Sequence, residues 1–91
     1  MKAYLYIIQS LKNGTYYVGS TLNYEERFKQ HNWGQVKSTR NKRPYKLVFY
    51  QEFPDIDMAR KAERRIKKWK RKDFIEKIIK DGAIRGPVAQ W

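Results

Sequence analysis

The sequence contains no cysteine, which excludes a disulfide scaffold and a cysteine-ligated zinc site. It also lacks long apolar runs. No stretch approaches the length of a membrane span, and the few apolar positions before Gln9 are too short for the hydrophobic core of a signal peptide. From these absences we expect a cytoplasmic protein that has no membrane partner.

Acidic residues are scarce as well: nine Asp and Glu stand against 21 Lys and Arg, which gives a formal net charge of +12. A domain with so much charge of one sign repels itself unless it binds a polyanion. Nucleic acid is the leading candidate, because each phosphate that the protein neutralises releases counterions. From charge alone, a basic protein without a polyanionic partner remains an alternative. A membrane-surface protein is disfavoured, because the apolar stripe of the basic segment 61–80 is needed to cover a sheet.

Apolar and aromatic residues are plentiful enough for one packed core, at 41% and 15% of 91 positions. Aromatic and β-branched residues concentrate in three segments that are predicted strands, at 3–9, 15–20 and 45–53. The alternating pattern of the third strand predicts one apolar face, made of Tyr45, Leu47, Phe49 and Phe53. Apolar periodicity and capping residues predict helices at 24–32, 56–69 and 72–80.

The order of these elements, ββαβαα, predicts an α+β fold in which a three-stranded, mostly antiparallel sheet is flanked by helices. Asn13 and Gly14 form a favoured dipeptide for a tight hairpin turn between the first two strands. We expect residues 1–82 to form the domain. The polar and basic segment 35–43 is predicted to be a mobile loop, and 83–91 an irregular tail.

Three ionisable side chains occupy helix positions where the periodicity favours apolar residues. Arg27 and His31 share the face of the first helix that Tyr24 and Phe28 mark as buried. Glu63 interrupts the apolar stripe of the second helix, which consists of Ile56, Ala59, Ala62, Ile66 and Trp69. Since burying an unpartnered charge costs several kcal/mol, such groups either pair with one another or serve a site. Both interpretations stay open: an Arg27–Glu63 ion pair at the rim of the core, or a functional site.

The same residues, in this order, resemble the GIY-YIG nuclease superfamily, especially its small single-domain bacterial members of the YhbQ/YazA type. The first signature element corresponds to Tyr4-Leu5-Tyr6, the second to Tyr17-Val18-Gly19, and the later single positions to Arg27, His31 and Glu63. The chain departs from the pattern at two places. Tyr4 stands where the first element has glycine, and no residue in 73–76 can be assigned to the polar position that other members carry beyond the glutamate helix.

The resemblance implies a role for each matched residue in phosphodiester hydrolysis. Tyr6 would be the general base and Tyr17 its hydrogen-bonding partner or a phosphate contact, with the two roles exchangeable. Arg27 would bind the scissile phosphate, and a nearby arginine or metal should lower the tyrosine pKa from about 10. His31 would orient the phosphate, relay a proton or share the role of base. Glu63 would hold one Mg²⁺ or Mn²⁺ ion.

Further expectations concern binding. Gly19 would let the phosphate approach the strand backbone. Contacts to the backbone of nucleic acid, with DNA favoured over RNA, are expected from two basic groups and imply low sequence specificity: Lys37, Arg40, Lys42 and Arg43 in the loop, and Lys61, Arg65 and Lys68 on the second helix. The helix group is alternatively a solvated surface. The alternative function is a non-catalytic nucleic-acid-binding module on the same fold, which the unassigned polar position favours.

Overall fold

The computed structural model describes residues 2–69 and 72–82, so the tail predicted at 83–91 lies outside the described residues. The elements are three strands, three α-helices and a 3₁₀ turn at Arg40–Lys42. The strands are β1 (Ala3–Ser10), β2 (Tyr16–Thr21) and β3 (Tyr45–Phe53), and the helices are α1 (Tyr24–Asn32), α2 (Ile56–Trp69) and α3 (Lys72–Asp81). The predicted α+β fold is confirmed. Within the described part of the chain, no helix is long and apolar enough to cross a membrane.

The sheet has the strand order β2-β1-β3, and both pairings are antiparallel. β1 therefore lies in the middle and is covered on both faces. Because successive side chains of a strand point to opposite faces, Leu5 and Ile7 pack with α2 while Tyr6 and Ile8 lie beneath α1. The β1–β2 hairpin closes at Gly14, whose φ of 77° suits a residue without a Cβ.

A β-bulge divides the third strand. Ile7 pairs with Phe49 and Ile8 with Leu47, so Val48 is the extra residue. The bulge shifts the alternation by one position: Leu47 packs in the cluster beneath α1, whereas Phe49 belongs to the cluster with α2. The single apolar face that the sequence predicts for this strand is therefore wrong, because alternation alone does not reveal an inserted residue.

The segment predicted as a mobile loop is tied to the rest of the domain. The Ser10 hydroxyl donates to the Lys42 carbonyl at 2.6 Å, and the Leu11 amide donates to the Pro44 carbonyl at 2.8 Å. Thr39, in the middle of the segment, is 1% exposed. The sequence shows only the polar character of these residues, whereas the structure shows that one of their hydroxyls completes a buried network.

Candidate active site

Tyr6 extends from the central strand toward β2 and is 1% exposed. Its partner in the antiparallel register is Gly19 on β2. A Cβ atom at position 19 would collide with the hydroxyl and ring carbons of Tyr6, so only glycine leaves room for this phenol. The group that lies over the Gly19 backbone is thus the Tyr6 ring, whereas the sequence suggested a substrate phosphate for that space.

His31, in the last turn of α1, connects Tyr6 to the loop. Its Nε2 lies 2.8 Å from the Tyr6 hydroxyl, and its Nδ1 lies 2.7 Å from the Thr39 hydroxyl. Thr39 in turn donates to the Val36 carbonyl at 3.4 Å. We therefore assign the proton of the neutral imidazole to Nδ1, which donates to Thr39, and Nε2 accepts the proton of Tyr6.

Burial holds this pair in the neutral state. It lowers the pKa of His31 to about 4, with the Arg27 charge acting in the same direction. Burial also raises the pKa of Tyr6 to about 12, although a hydrogen bond from Arg27 acts to lower it. Arg27 acts in the expected direction, but the desolvation of the buried oxygen outweighs it, so the pKa of this phenol lies above its ordinary value.

Glu63 extends from α2, the helix on the opposite face of the sheet, toward β2. The Ser20 hydroxyl donates to one of its carboxylate oxygens at 2.5 Å, and the Lys67 ammonium lies 2.7 Å from the other. The side chain is 19% exposed. Arg27 instead donates to the Gln30 side-chain oxygen at 3.1 Å. Of the two interpretations from the sequence, the ion pair between the described residues Arg27 and Glu63 is not formed.

A cavity of about 360 Å³ at the β2 edge brings these groups together. Its lining combines two phenols, a carboxylate and three guanidinium groups from both sides of the sheet, namely Tyr6, Tyr17, Gly19, Ser20, Arg27, Arg60, Glu63 and Arg64. His31 is fully buried behind Tyr6 and contacts the Tyr17 ring at 4.9 Å between centroids. The site thus has a basic, open mouth and, behind it, a neutral, buried tyrosine–histidine pair.

The oxygen donors of the cavity suit a hard divalent ion. One carboxylate is present, beside the Ser20 hydroxyl and two phenols. Within the described residues, no group of three or more His, Asp, Glu or Cys side chains could enclose a metal. An ion such as Mg²⁺, which keeps several waters and uses substrate phosphate as a ligand, fits this donor set, whereas tetrahedral zinc does not.

Several residues of the site were missed by the sequence argument. Arg60 and Lys67 lie three before and four after Glu63, which places them beside it on the helix surface, and Arg64 follows it directly in sequence. That spacing was available in the sequence. The predicted contacts Lys61, Arg65 and Lys68 are exposed on α2, outside the cavity lining. Thr39 has no sequence signal, because a loop folded over α1 brings it to His31.

The predicted loop contacts are all exposed: Lys37, Arg40, Lys42 and Arg43. Two of them also hold the loop. Arg40 donates through Nε to the Gly34 carbonyl at 3.0 Å, and Arg43 donates through Nε to the Arg40 carbonyl at 2.8 Å. Their terminal guanidinium nitrogens remain as further donors, so holding the loop and binding phosphate are compatible.

Comparison with known proteins shows the family to which the chain belongs. The sequence profile described as the GIY-YIG catalytic domain matches residues 2–78. A UPF0213 protein of Streptococcus pneumoniae serotype 4 is 38% identical over 71 residues, which are 77% of this chain and 71% of that protein. A UPF0213 protein of Staphylococcus saprophyticus is 37% identical over 82 residues, 89% of this chain and 98% of the relative.

A solved structure is similar as well. The solution NMR structure of a UPF0213 protein from Bacillus halodurans has a TM-score of 0.55 and 31% sequence identity, over 90% of this chain and 87% of that one. The profile match covers most of the chain, and the relatives are matched over most of their length. The chain therefore belongs to the GIY-YIG nuclease superfamily, as a small protein of the UPF0213 type.

Proposed function

We propose that the protein is a metal-dependent endonuclease that hydrolyses phosphodiester bonds in nucleic acid, with DNA as the expected substrate and little sequence specificity. The observation that carries this proposal is the path Tyr6–His31–Thr39, which connects a buried base to a cavity containing Arg27 and Glu63. Such a path is of use to a reaction that must remove a proton from an attacking water.

The phosphate would bind through arginines. Arg27 lies next to the Tyr6 hydroxyl and presents a planar fork of donors, which suits the oxygens of a phosphodiester. Arg60 and Arg64 are exposed at the mouth of the same cavity. They would hold the neighbouring phosphates, whose contacts read charge rather than base sequence.

Tyr6 would pass on a proton rather than exist as a free phenolate. With pKa values of about 12 for Tyr6 and about 4 for His31, transfer from the phenol to the imidazole is strongly unfavourable before substrate enters. A bound phosphodiester raises the pKa of Tyr6 as well as that of His31, so it does not by itself drive the transfer, and the two proton movements at Tyr6 would occur together. Tyr6 then accepts a proton from the attacking water while its own proton moves to Nε2 of His31.

Glu63 and the Ser20 hydroxyl are the residues that would hold the divalent ion, with Tyr17 and Tyr6 nearby. When bound, such an ion neutralises charge that develops on the phosphate and the leaving oxygen. Lys67 now contacts one of the two carboxylate oxygens, so the ion and this ammonium group would compete for Glu63.

The proposal is tested by cleavage of end-labelled single-stranded, duplex and branched DNA and of RNA, with Mg²⁺, Mn²⁺ or EDTA. Glu63→Gln is the informative variant, because the amide oxygen can still accept the Ser20 hydrogen bond while the charge is lost. We expect cleavage that requires the metal and that falls by roughly a hundredfold or more in this variant.

Glu52→Gln is the matched control, since Glu52 is ion-paired with Lys2 at 3.5 Å on the exposed surface, outside the cavity lining. It should cleave at the wild-type rate. Metal-independent cleavage, or equal loss in both variants, contradicts the assignment of Glu63. Binding without cleavage by the wild type identifies the non-catalytic module instead.

A further inference from the structure

A second cavity of about 470 Å³ adjoins the active-site cavity. The two share Ser20, Arg27 and Arg60, so they adjoin at these side chains. The remaining lining of the second cavity comes from the β2–α1 connection, α1 and the first turns of α2: Thr21, Leu22, Asn23, Glu26, Gln30 and Ile56. A ligand that reaches Arg27 from the active site therefore has room to continue past it.

The two cavities differ in chemistry. The active-site cavity adds Arg64 to the shared arginines and suits a phosphate. The second cavity instead adds two aliphatic side chains, Leu22 and Ile56, and the carboxylate of Glu26. Leu22 is 50% exposed, so its side chain is accessible to a ligand in this cavity. The two aliphatic side chains and the carboxylate make this cavity less suited to a phosphate than the active-site cavity.

Gln30 is held in place by the catalytic arginine. Its side-chain oxygen accepts from Arg27 at 3.1 Å, which leaves the amide nitrogen as a donor toward the second cavity. Glu26 offers acceptors in the same cavity. The cavity thus combines apolar walls with donors and acceptors at its edge, which match the flat apolar faces and the polar edge of a nucleobase.

We propose that the second cavity is a subsite for the unpaired base of the nucleotide next to the scissile phosphate. The proposal rests on the proposed function and adds to it a substrate class. A base in a continuous duplex has both faces stacked and its edge paired, so it cannot enter a cavity of this kind without leaving the helix. Nucleic acids with a single-stranded residue beside the cleaved bond are therefore the preferred substrates.

Binding in EDTA, measured by fluorescence anisotropy at fixed salt, tests the subsite without requiring cleavage. The probes are one labelled single-stranded oligonucleotide, its fully abasic counterpart and its duplex. The variant is Leu22→Ser, and the control is Leu11→Ser, which changes a similarly exposed leucine in the connection between β1 and β2. We expect the wild type and the control to bind the normal single strand roughly tenfold more tightly than the abasic strand, and Leu22→Ser to lose this difference.

Duplex binding should be the same in all three proteins, because it depends on phosphate contacts. If Leu22→Ser keeps the preference for bases, or weakens duplex binding equally, the subsite is wrong while the nuclease proposal stands. If the wild type binds none of the three probes at low salt, both proposals are wrong. The two failures are therefore distinguishable.

Discussion

The two faces of the sheet bury different kinds of side chain. The face that packs with α2 is apolar, with Leu5, Ile7 and Val18 at its centre. The face beneath α1 buries Ile8, but also an imidazole and several hydroxyl groups, among them those of Tyr6 and Thr39, which bond to His31. Alternate residues of β1 point to opposite faces, so this one strand of eight residues contributes to the apolar core and to the candidate site.

The energetics of the two faces differ accordingly. Burial of aliphatic side chains stabilises the fold by about 1.5–3 kcal/mol for each large residue. A hydrogen bond between buried polar groups contributes only about 1 kcal/mol net, because it replaces bonds to water. Within the described residues, every buried side-chain nitrogen and oxygen has a hydrogen-bond partner. Even so, these hydrogen bonds stabilise the fold less than apolar side chains in the same place would. We infer that the α2 face maintains stability and the α1 face is kept for chemistry.

The largest expected effect on stability is on the apolar face. Ile7→Ala removes a fully buried side chain from the centre of the α2 cluster and should lower the free energy of unfolding by about 2–5 kcal/mol. Urea denaturation measures this loss, and the cleavage rate per folded molecule should stay at the wild-type value. Leu11→Ala, on the exposed surface, should change stability by less than about 0.5 kcal/mol. A slowed rate per folded molecule in Ile7→Ala would show that the two faces are not separable.

The next largest effect is a loss of folding stability at acid pH. In the unfolded chain the imidazole of His31 binds a proton below a pKa of about 6.5, whereas in the folded protein it stays neutral down to a pKa of about 4. Since the unfolded state then binds more protons, stability falls as the pH drops through this window, by up to about 3 kcal/mol. Urea denaturation at pH 7, 5.5 and 4.5 should show this slope in the wild type and a shallower one in His31→Phe. Equal slopes would contradict a neutral, buried His31.

A smaller effect on stability is expected where Gly19 on β2 lies against Tyr6 on β1. Gly19→Ala puts a Cβ against the Tyr6 ring, and such overpacking costs about 1–3 kcal/mol. Because the phenol must move, cleavage should fall more than stability explains. Gly14→Ala is the matched control: its φ of +77° gives a strained backbone at a similar cost, in a turn with no neighbour to displace. Equal cleavage per folded molecule in the two variants would show that Gly19 is not needed to position Tyr6 for cleavage.

The smallest effect tests the Lys67–Glu63 ion pair at the proposed metal site. Lys67 is 46% exposed, so its attraction to Glu63 contributes about 1 kcal/mol or less. Lys67→Ala should therefore bind Mn²⁺ a few times more tightly than the wild type, as measured by calorimetry or electron paramagnetic resonance. Lys68→Ala, which removes the neighbouring exposed charge, should have a weaker effect. If Lys67→Ala binds the ion more weakly, Lys67 supports the site rather than competing for it.

Most of the fold could be predicted from local patterns. The bounds of α1, β3 and α2 agree with the sequence prediction, because each begins at a capping residue or a proline and carries a clear period. The faces of β3 could not be predicted, since the bulge at Val48 depends on pairing with β1. The anchored loop also depends on a distant contact, between Thr39 and His31.

The site was predictable to a similar degree. Tyr6, Tyr17, Arg27 and Glu63 come together in the cavity, with His31 directly behind them, at positions that the family pattern indicated. The protonation states could not be derived from the sequence, because burial is a property of the packed fold. Glu63 has two partners on different elements, Ser20 on β2 and Lys67 on α2. Only the spacing of Lys67 on α2 could be recognised from the sequence.

The most direct test of the division between the two faces is Tyr6→Phe, studied by single-turnover cleavage and by urea denaturation of the same preparation. The substitution removes the hydroxyl that bonds to His31 and keeps the ring over Gly19. We predict that the variant stays folded, with a free energy of unfolding lower by about 1–3 kcal/mol because the imidazole is unpaired. Its cleavage rate per folded molecule should fall by roughly a hundredfold or more. Cleavage by folded Tyr6→Phe at the wild-type rate would contradict the proton path and, with it, the claim that the α1 face is kept for chemistry.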